Sequence, residues 1–108
     1  MLHDSIESLL YNSRPSDVIG ITSGCFDLLH VTHISYLERC RRRCDKLFVF
    51  LDSDMMILEN KGYLPVINEN DRAFCLSAIK YVSGVIIIDS LEDFSNKVYA
   101  CSHYKQDQ

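Results

Sequence analysis

The segment Thr22-Ser23-Gly24-Cys25-Phe26-Asp27-Leu28-Leu29-His30-Val31-Thr32-His33 concentrates the residue types that do chemistry in this chain. Gly24, with no Cβ, lets the backbone approach a ligand closely. His30 and His33 stand at i and i+3, the spacing that puts two side chains on one helix face. A helix starting near His30 adds outward-pointing amides and a partial positive charge. Together these make a cradle for an anion, most naturally a phosphate chain. Two histidines at this spacing are as often a structural pair as a ligand pair, so the surrounding residues decide. Cys25, His30 and His33 also have the donor types of a zinc site, although a fourth ligand is not evident. The motifs G-x-x-x-x-G-K-[ST] and G-x-G-x-x-G cannot be assembled from Gly20, Gly24, Gly62 and Gly84.

Such a turn needs a strand before it and a helix after it. Val18–Thr22 is a short β-rich run closing at Gly24, and Ile34, Leu37, Cys40 and Cys44 mark one face of a helix from about His30 to Arg43. Leu47–Leu51 reads as a second strand, apolar throughout as expected when helices cover both faces. Val85–Ile88 reads as the third. Ahead of them, Ile6, Leu9 and Leu10 recur at helical spacing, and Asn12–Asp17 with Pro15 forms a connector. The polar stretch Asp52–Asn68 is expected to hold at most one helical turn and to be a functional loop. Asn68 caps a further helix, with Asp71 in a capping-box-like position, and Cys75, Leu76, Ile79 and Val82 facing inward. Ser90 and Asp93 begin a short stripe of Leu91, Phe94 and Val98, and residues 102–108 are expected to form a disordered tail. The alternation predicts an α/β fold: a Rossmann-like parallel sheet with helices on both faces, truncated after the third strand. Ligands in such sheets bind beyond the carboxyl ends of the strands, where Ser23 and Gly24 fall.

The 108 residues suit a single domain spanning 1–108. A net charge of -4 argues against a broad nucleic-acid surface. Arg39, Arg41, Arg42 and Arg43 fall where a helix ends and complement its dipole. The five cysteines, without a Cys-x-x-Cys pair, read as reduced thiols, Cys40 and Cys44 as small apolar residues on a buried helix face. Met1–Tyr11 lacks the apolar run of a signal peptide, and Leu47–Leu51 is too short to span a bilayer. The expectation is a cytoplasmic protein with neither membrane nor nucleic-acid partners.

The Thr22–His33 segment resembles the H-x-G-H signature of the cytidylyltransferase-like nucleotidyltransferases. The likeness is closest to the heptose 1-phosphate adenylyltransferase and glycerol-3-phosphate cytidylyltransferase branch. Ser35-Tyr36-Leu37, Asp45-Lys46-Leu47, Asp52-Ser53-Asp54, Lys61-Gly62, Pro65-Val66, Asn68 and Asp71-Arg72 continue it in one register over about residues 17–89. The resemblance implies transfer of a nucleoside monophosphate from ATP or CTP to a phosphorylated sugar or polyol, with release of pyrophosphate and Mg²⁺ as cofactor. It gives His30, His33 and Lys61 the catalytic roles. Thr22, Ser23, Gly24, Cys25, Phe26, Asp27 and Arg72, with the two histidines, would bind the nucleotide and its phosphates. Asp27 would organise the turn or a magnesium ion, or act as a local cap.

The sequence departs from that pattern in three places. Thr32 replaces the glycine of H-x-G-H and is expected to crowd the phosphates. Asp52 stands where the branch has asparagine. The family continues past the third strand with two further strands and a Ser/Thr-rich segment, for which this chain has no counterpart before Gln108. A bare edge on the first strand follows, and with it a homo-oligomer. The rival to an enzyme is a catalytically inactive nucleotide-binding or partner-binding relic of the same fold.

Overall fold

Two apolar runs set the centre of the sheet. In the computed structural model, which describes residues 1–106, they form β3 (Lys46–Asp52) and β4 (Gly84–Ile88). Every residue from Leu47 to Leu51 is buried. Alternate residues serve opposite faces, as the period of two in a strand requires. Phe48, Phe50, Ile86 and Ile88 pack with α1 (Ile6–Leu10) and α5 (Leu91–Gln106). Leu47, Val49, Leu51 and Val85 pack with Leu37 of α2 (Val31–Arg41) and with Ala73 and Leu76 of α4 (Glu69–Ser77).

β2 (Ile19–Gly24) runs parallel to β3, from Ile19 opposite Lys46 to Gly24 opposite Leu51. β4 pairs parallel on the other side of β3, from Phe48 opposite Gly84 to Asp52 opposite Ile88. The sheet does not end there. A two-residue strand, β1 (Leu2–His3), pairs parallel with β4 and makes the order β1-β4-β3-β2. The fold is the expected α/β sheet with helices on both faces, with four strands where the sequence shows three. β2 lies at an edge, as expected, paired only with β3 among the described residues.

Three segments differ from the sequence reading. Asp52–Asn68 contains α3 (Asp54–Lys61), eight residues long. Ser53 caps it by accepting from the Met56 amide, Met56 and Ile57 are buried, and Gly62 closes it at φ 79°. The inward face of α4 is Arg72, Ala73 and Leu76, and the helix stops at Ser77. Cys75 is exposed, while Ile79 and Val82 pack on the core from beyond the helix end. Residues 102–106 are helical, because α5 continues through a buried Cys101; positions 107 and 108 of the expected tail lie outside the described residues. Leu91 is 75% exposed and so outside the buried stripe it was assigned to. No helix among the described residues is long and apolar enough to cross a membrane.

Candidate functional site

β2 carries Ser23 and Gly24 to the carboxyl edge of the sheet, and the chain then turns through Cys25–Leu29 into α2. Phe26 makes this turn at φ 45°, a left-handed backbone that costs a non-glycine residue about 1–2 kcal/mol. Burial of its ring offsets part of that strain; the ring is 8% exposed and tilts against His33 with centroids 5.8 Å apart. A Cβ on Gly24 would come within 3.0 Å of the same ring. Glycine therefore makes room for Phe26 at this turn.

Two imidazoles cap α2. His30 is the extended N-cap residue, and its Nδ1 accepts from the Thr32 amide. The His30 amide donates to Nδ1 of His33 at 3.0 Å. With Nδ1 of His33 occupied by a donor, the neutral ring holds its proton on Nε2, where it can donate to a ligand.

An open cleft of about 500 Å³ lies beside this cap. Ser23 to Leu28 form one wall, His33 and Tyr36 a second, and Lys61 at the end of α3 the third. Seven expected residues therefore meet: Ser23, Gly24, Cys25, Phe26, Asp27, His33 and Lys61. Leu28 and Tyr36 were missed. Tyr36 was findable, since it sits one helical turn past His33. Its hydroxyl pairs with Thr22 Oγ1 at 2.9 Å, so Thr22, which is buried, supports the wall from behind instead of facing the cleft. His30 is exposed and outside the lining. Thr32 is outside it too; its hydroxyl lies 3.2 Å from Nδ1 of His30.

Charge in the cleft is shaped by a small group. The Cys25 thiol donates to Asp52 Oδ2 at 3.5 Å. Burial, and then the Asp52 carboxylate, push this thiol up, so it stays protonated near neutrality. The Cys25 sulfur in turn raises the Lys61 pKa, so the ammonium stays cationic.

Asp27 and Arg72 hold the cleft's outer frame. Asp27 accepts from the Val66 amide at 2.9 Å and the Ile67 amide at 2.8 Å. The Ile67 and Val66 bonds hold its carboxyl below the usual carboxylate range. Of the roles open in the sequence, organising the turn is the one its contacts serve. Arg72 was expected to touch phosphates, yet it is 1% exposed and four of its five N–H donors are engaged. Nε donates to the Ile67 carbonyl at 2.8 Å, and Nη1 to the carbonyls of Cys25 at 2.7 Å and Asp52 at 2.8 Å. Nη2 pairs with Asp54 at 2.7 Å. It clamps the ends of β2 and β3 to α3 and the segment before α4. Among the described residues, no group of three or more His, Cys, Asp and Glu side chains could hold a metal ion.

Comparison with known proteins gives consistent findings. The family described as cytidylyltransferase-like matches residues 21–98. The chain is 51% identical over 73 residues to the bifunctional protein HldE of Hyphomonas neptunium, covering 67% of this chain and 15% of that protein. It is 42% identical over 86 residues to HldE of Campylobacter fetus, covering 79% of this chain and 19% of the relative. It thus spans under a fifth of the length of these relatives. A crystal structure of a lipopolysaccharide core biosynthesis protein from Thermoplasma volcanium superposes with TM-score 0.69 at 27% identity, over 78% of this chain and 68% of that one.

Proposed function

The chain belongs to the cytidylyltransferase-like family, and on that premise we propose that its cleft transfers a nucleoside monophosphate from ATP or CTP to a phosphorylated sugar or polyol. The observation that carries the reading is the meeting of His33 and Lys61 across one cleft at the carboxyl end of β2. In this reaction an oxygen of the acceptor phosphate bonds to the α-phosphorus while the bond to the leaving pyrophosphate breaks. Catalysis of such transfers rests on positioning and charge stabilisation. His33 would donate from Nε2, Lys61 would neutralise the phosphate chain, and Gly24 would let it lie against the backbone. His30 would add a second donor at the start of α2.

The carboxylates present fit a magnesium ion held mainly by the triphosphate's own oxygens. Asp27 is bound to two amides and Asp54 to Arg72, which leaves Asp52 to take part. Bound magnesium would neutralise phosphate charge. Among the described residues β2 pairs on one side alone, with β3, and that edge supports the self-association expected from the sequence. The rival reading, a binding relic, draws on Asp52, whose carboxylate opposes the charge of Lys61.

Pyrophosphate release, measured with ATP and CTP against a panel including heptose 1-phosphate and glycerol 3-phosphate, tests the proposal. One acceptor should give turnover, and His33→Ala should reduce it by about 10²–10³, the cost of losing one preorganised donor. Nucleotide binding without release would favour the relic; neither binding nor release would overturn both.

A further inference from the structure

Two hydrogen-bond contacts of the His30 ring are with Thr32, beside the capping-box contact of the same side chain with the His33 amide. The Thr32 amide lies 3.3 Å from Nδ1, and the Thr32 hydroxyl 3.2 Å from the same atom. We infer that Thr32 is a positioning residue whose hydroxyl and amide together fix His30 with its proton on Nε2.

The direction follows from donor chemistry. An amide N–H cannot accept, so where it meets Nδ1 that nitrogen must be the acceptor. A hydroxyl can do either; facing an accepting nitrogen it donates, and amide and hydroxyl then share the one lone pair of Nδ1. The amide contact is long for a hydrogen bond and weak by itself. A glycine, the residue that stands here in the pattern this segment resembles, supplies nothing more. Threonine adds a second donor from a side chain with few χ1 choices. Thr32 is the second residue of α2, where no helical carbonyl one turn earlier competes for its hydroxyl.

The result is a relay of alignment. Thr32 fills Nδ1 of His30, and the His30 amide fills Nδ1 of His33. Both neutral rings then present Nε2–H, the form that donates to an anion. The substitution that looked like damage to the signature serves instead to orient its first histidine. This value to ligand binding rests on the proposed nucleotidyl-transfer reading; the tautomer itself does not.

The test separates the two. Long-range ¹H–¹⁵N imidazole spectra are recorded above the ordinary histidine pKa, with His30 signals identified by their loss in His30→Gln. Wild type and Thr32→Ser should show the Nε2–H pattern. Thr32→Val keeps the shape and amide but loses the hydroxyl, and should show a mixture of tautomers with unchanged far-ultraviolet circular dichroism. A Thr32→Val spectrum identical to wild type, or a wild-type ring protonated on Nδ1, would overturn the inference. Calorimetric titration with inorganic tripolyphosphate then reads the consequence. Thr32→Val should bind about two- to tenfold more weakly, the worth of one ordinary hydrogen bond, and Thr32→Ser should restore affinity. A tautomer change with no loss of affinity would uphold the positioning of His30 and overturn its assignment to the phosphates.

Discussion

Replacing Arg72 by alanine should remove a large part of this domain's stability while leaving it folded in the absence of denaturant. The guanidinium side chain is fully buried, and it satisfies three carbonyls as well as the Asp54 carboxylate. Removing one member of a buried ion pair costs about 3–5 kcal/mol, since the partner is left without compensation. Asp54 is 27% exposed and recovers some solvation, which pulls the estimate toward the lower figure. The orphaned carbonyls pull it back up, at about 1–3 kcal/mol for each one that water cannot reach. A net loss of about 4 kcal/mol is expected against a total stability of about 5–15 kcal/mol for a domain of this kind. Arg72→Lys keeps the charge but not the planar fork that reaches in several directions, and should lose about 2 kcal/mol. Urea unfolding followed by circular dichroism gives these values, with the slope m unchanged if only stability moves. A double-mutant cycle with Asp54→Asn should show coupling of about 1–3 kcal/mol. If Arg72→Ala lies within about 1 kcal/mol of wild type, the clamp described here is not what holds the site together.

Two more outcomes follow from the titrating groups. Asp27 has its folded pKa depressed by the Ile67 and Val66 amides, so its contribution is present above the ordinary carboxylate value and is lost as pH falls through the depressed one. The melting temperature of wild type should therefore fall more steeply on acidification than that of Asp27→Asn; parallel curves from neutral pH to about pH 3 would refute the sign. Burial raises the Cys101 thiol to about 11, whereas Cys75 is exposed. Labelling with a disulfide reagent near neutrality, followed by peptide mass mapping, should modify Cys75 at once and Cys101 only after unfolding; equal rates would show that α5 opens readily.

The main architecture was readable because its signals are local. Leu47–Leu51 is buried on both faces and Val85–Ile88 nearly so, with Ile87 half-buried, and an uninterrupted apolar run is what that burial demands. Asn68 announced the start of α4 by its capping chemistry, and its side chain does accept from the Asp71 amide. β1 escaped notice because two residues carry no periodicity; Leu2 and His3 become a strand only by pairing with Val85 and Ile86. α3 was hidden by the polar residues around it, although Ser53 and Gly62 are its cap and its stop. The site was legible where contacts are near in sequence, as with Gly24, Phe26 and His33. It was misread at Arg72 and Thr22, where a polar side chain turns inward to partners that only the fold brings near. At Thr32 the bulk of the side chain is legible in the sequence, whereas the contact of its hydroxyl with His30 is not.

The long reach of the frame contacts sets an order of assembly. Asp27 finds its amides 39 and 40 residues downstream, and the Cys25 carbonyl meets Arg72 47 residues on. A growing chain would present the strand, the turn and both imidazoles well before the segment that locks them has been synthesised. On the proposed function, the cleft would gain its complete frame only with the docking of α4. A phosphate compound added during folding would find little to hold until that step, and would slow unfolding more than it speeds folding, because it rewards only the completed structure.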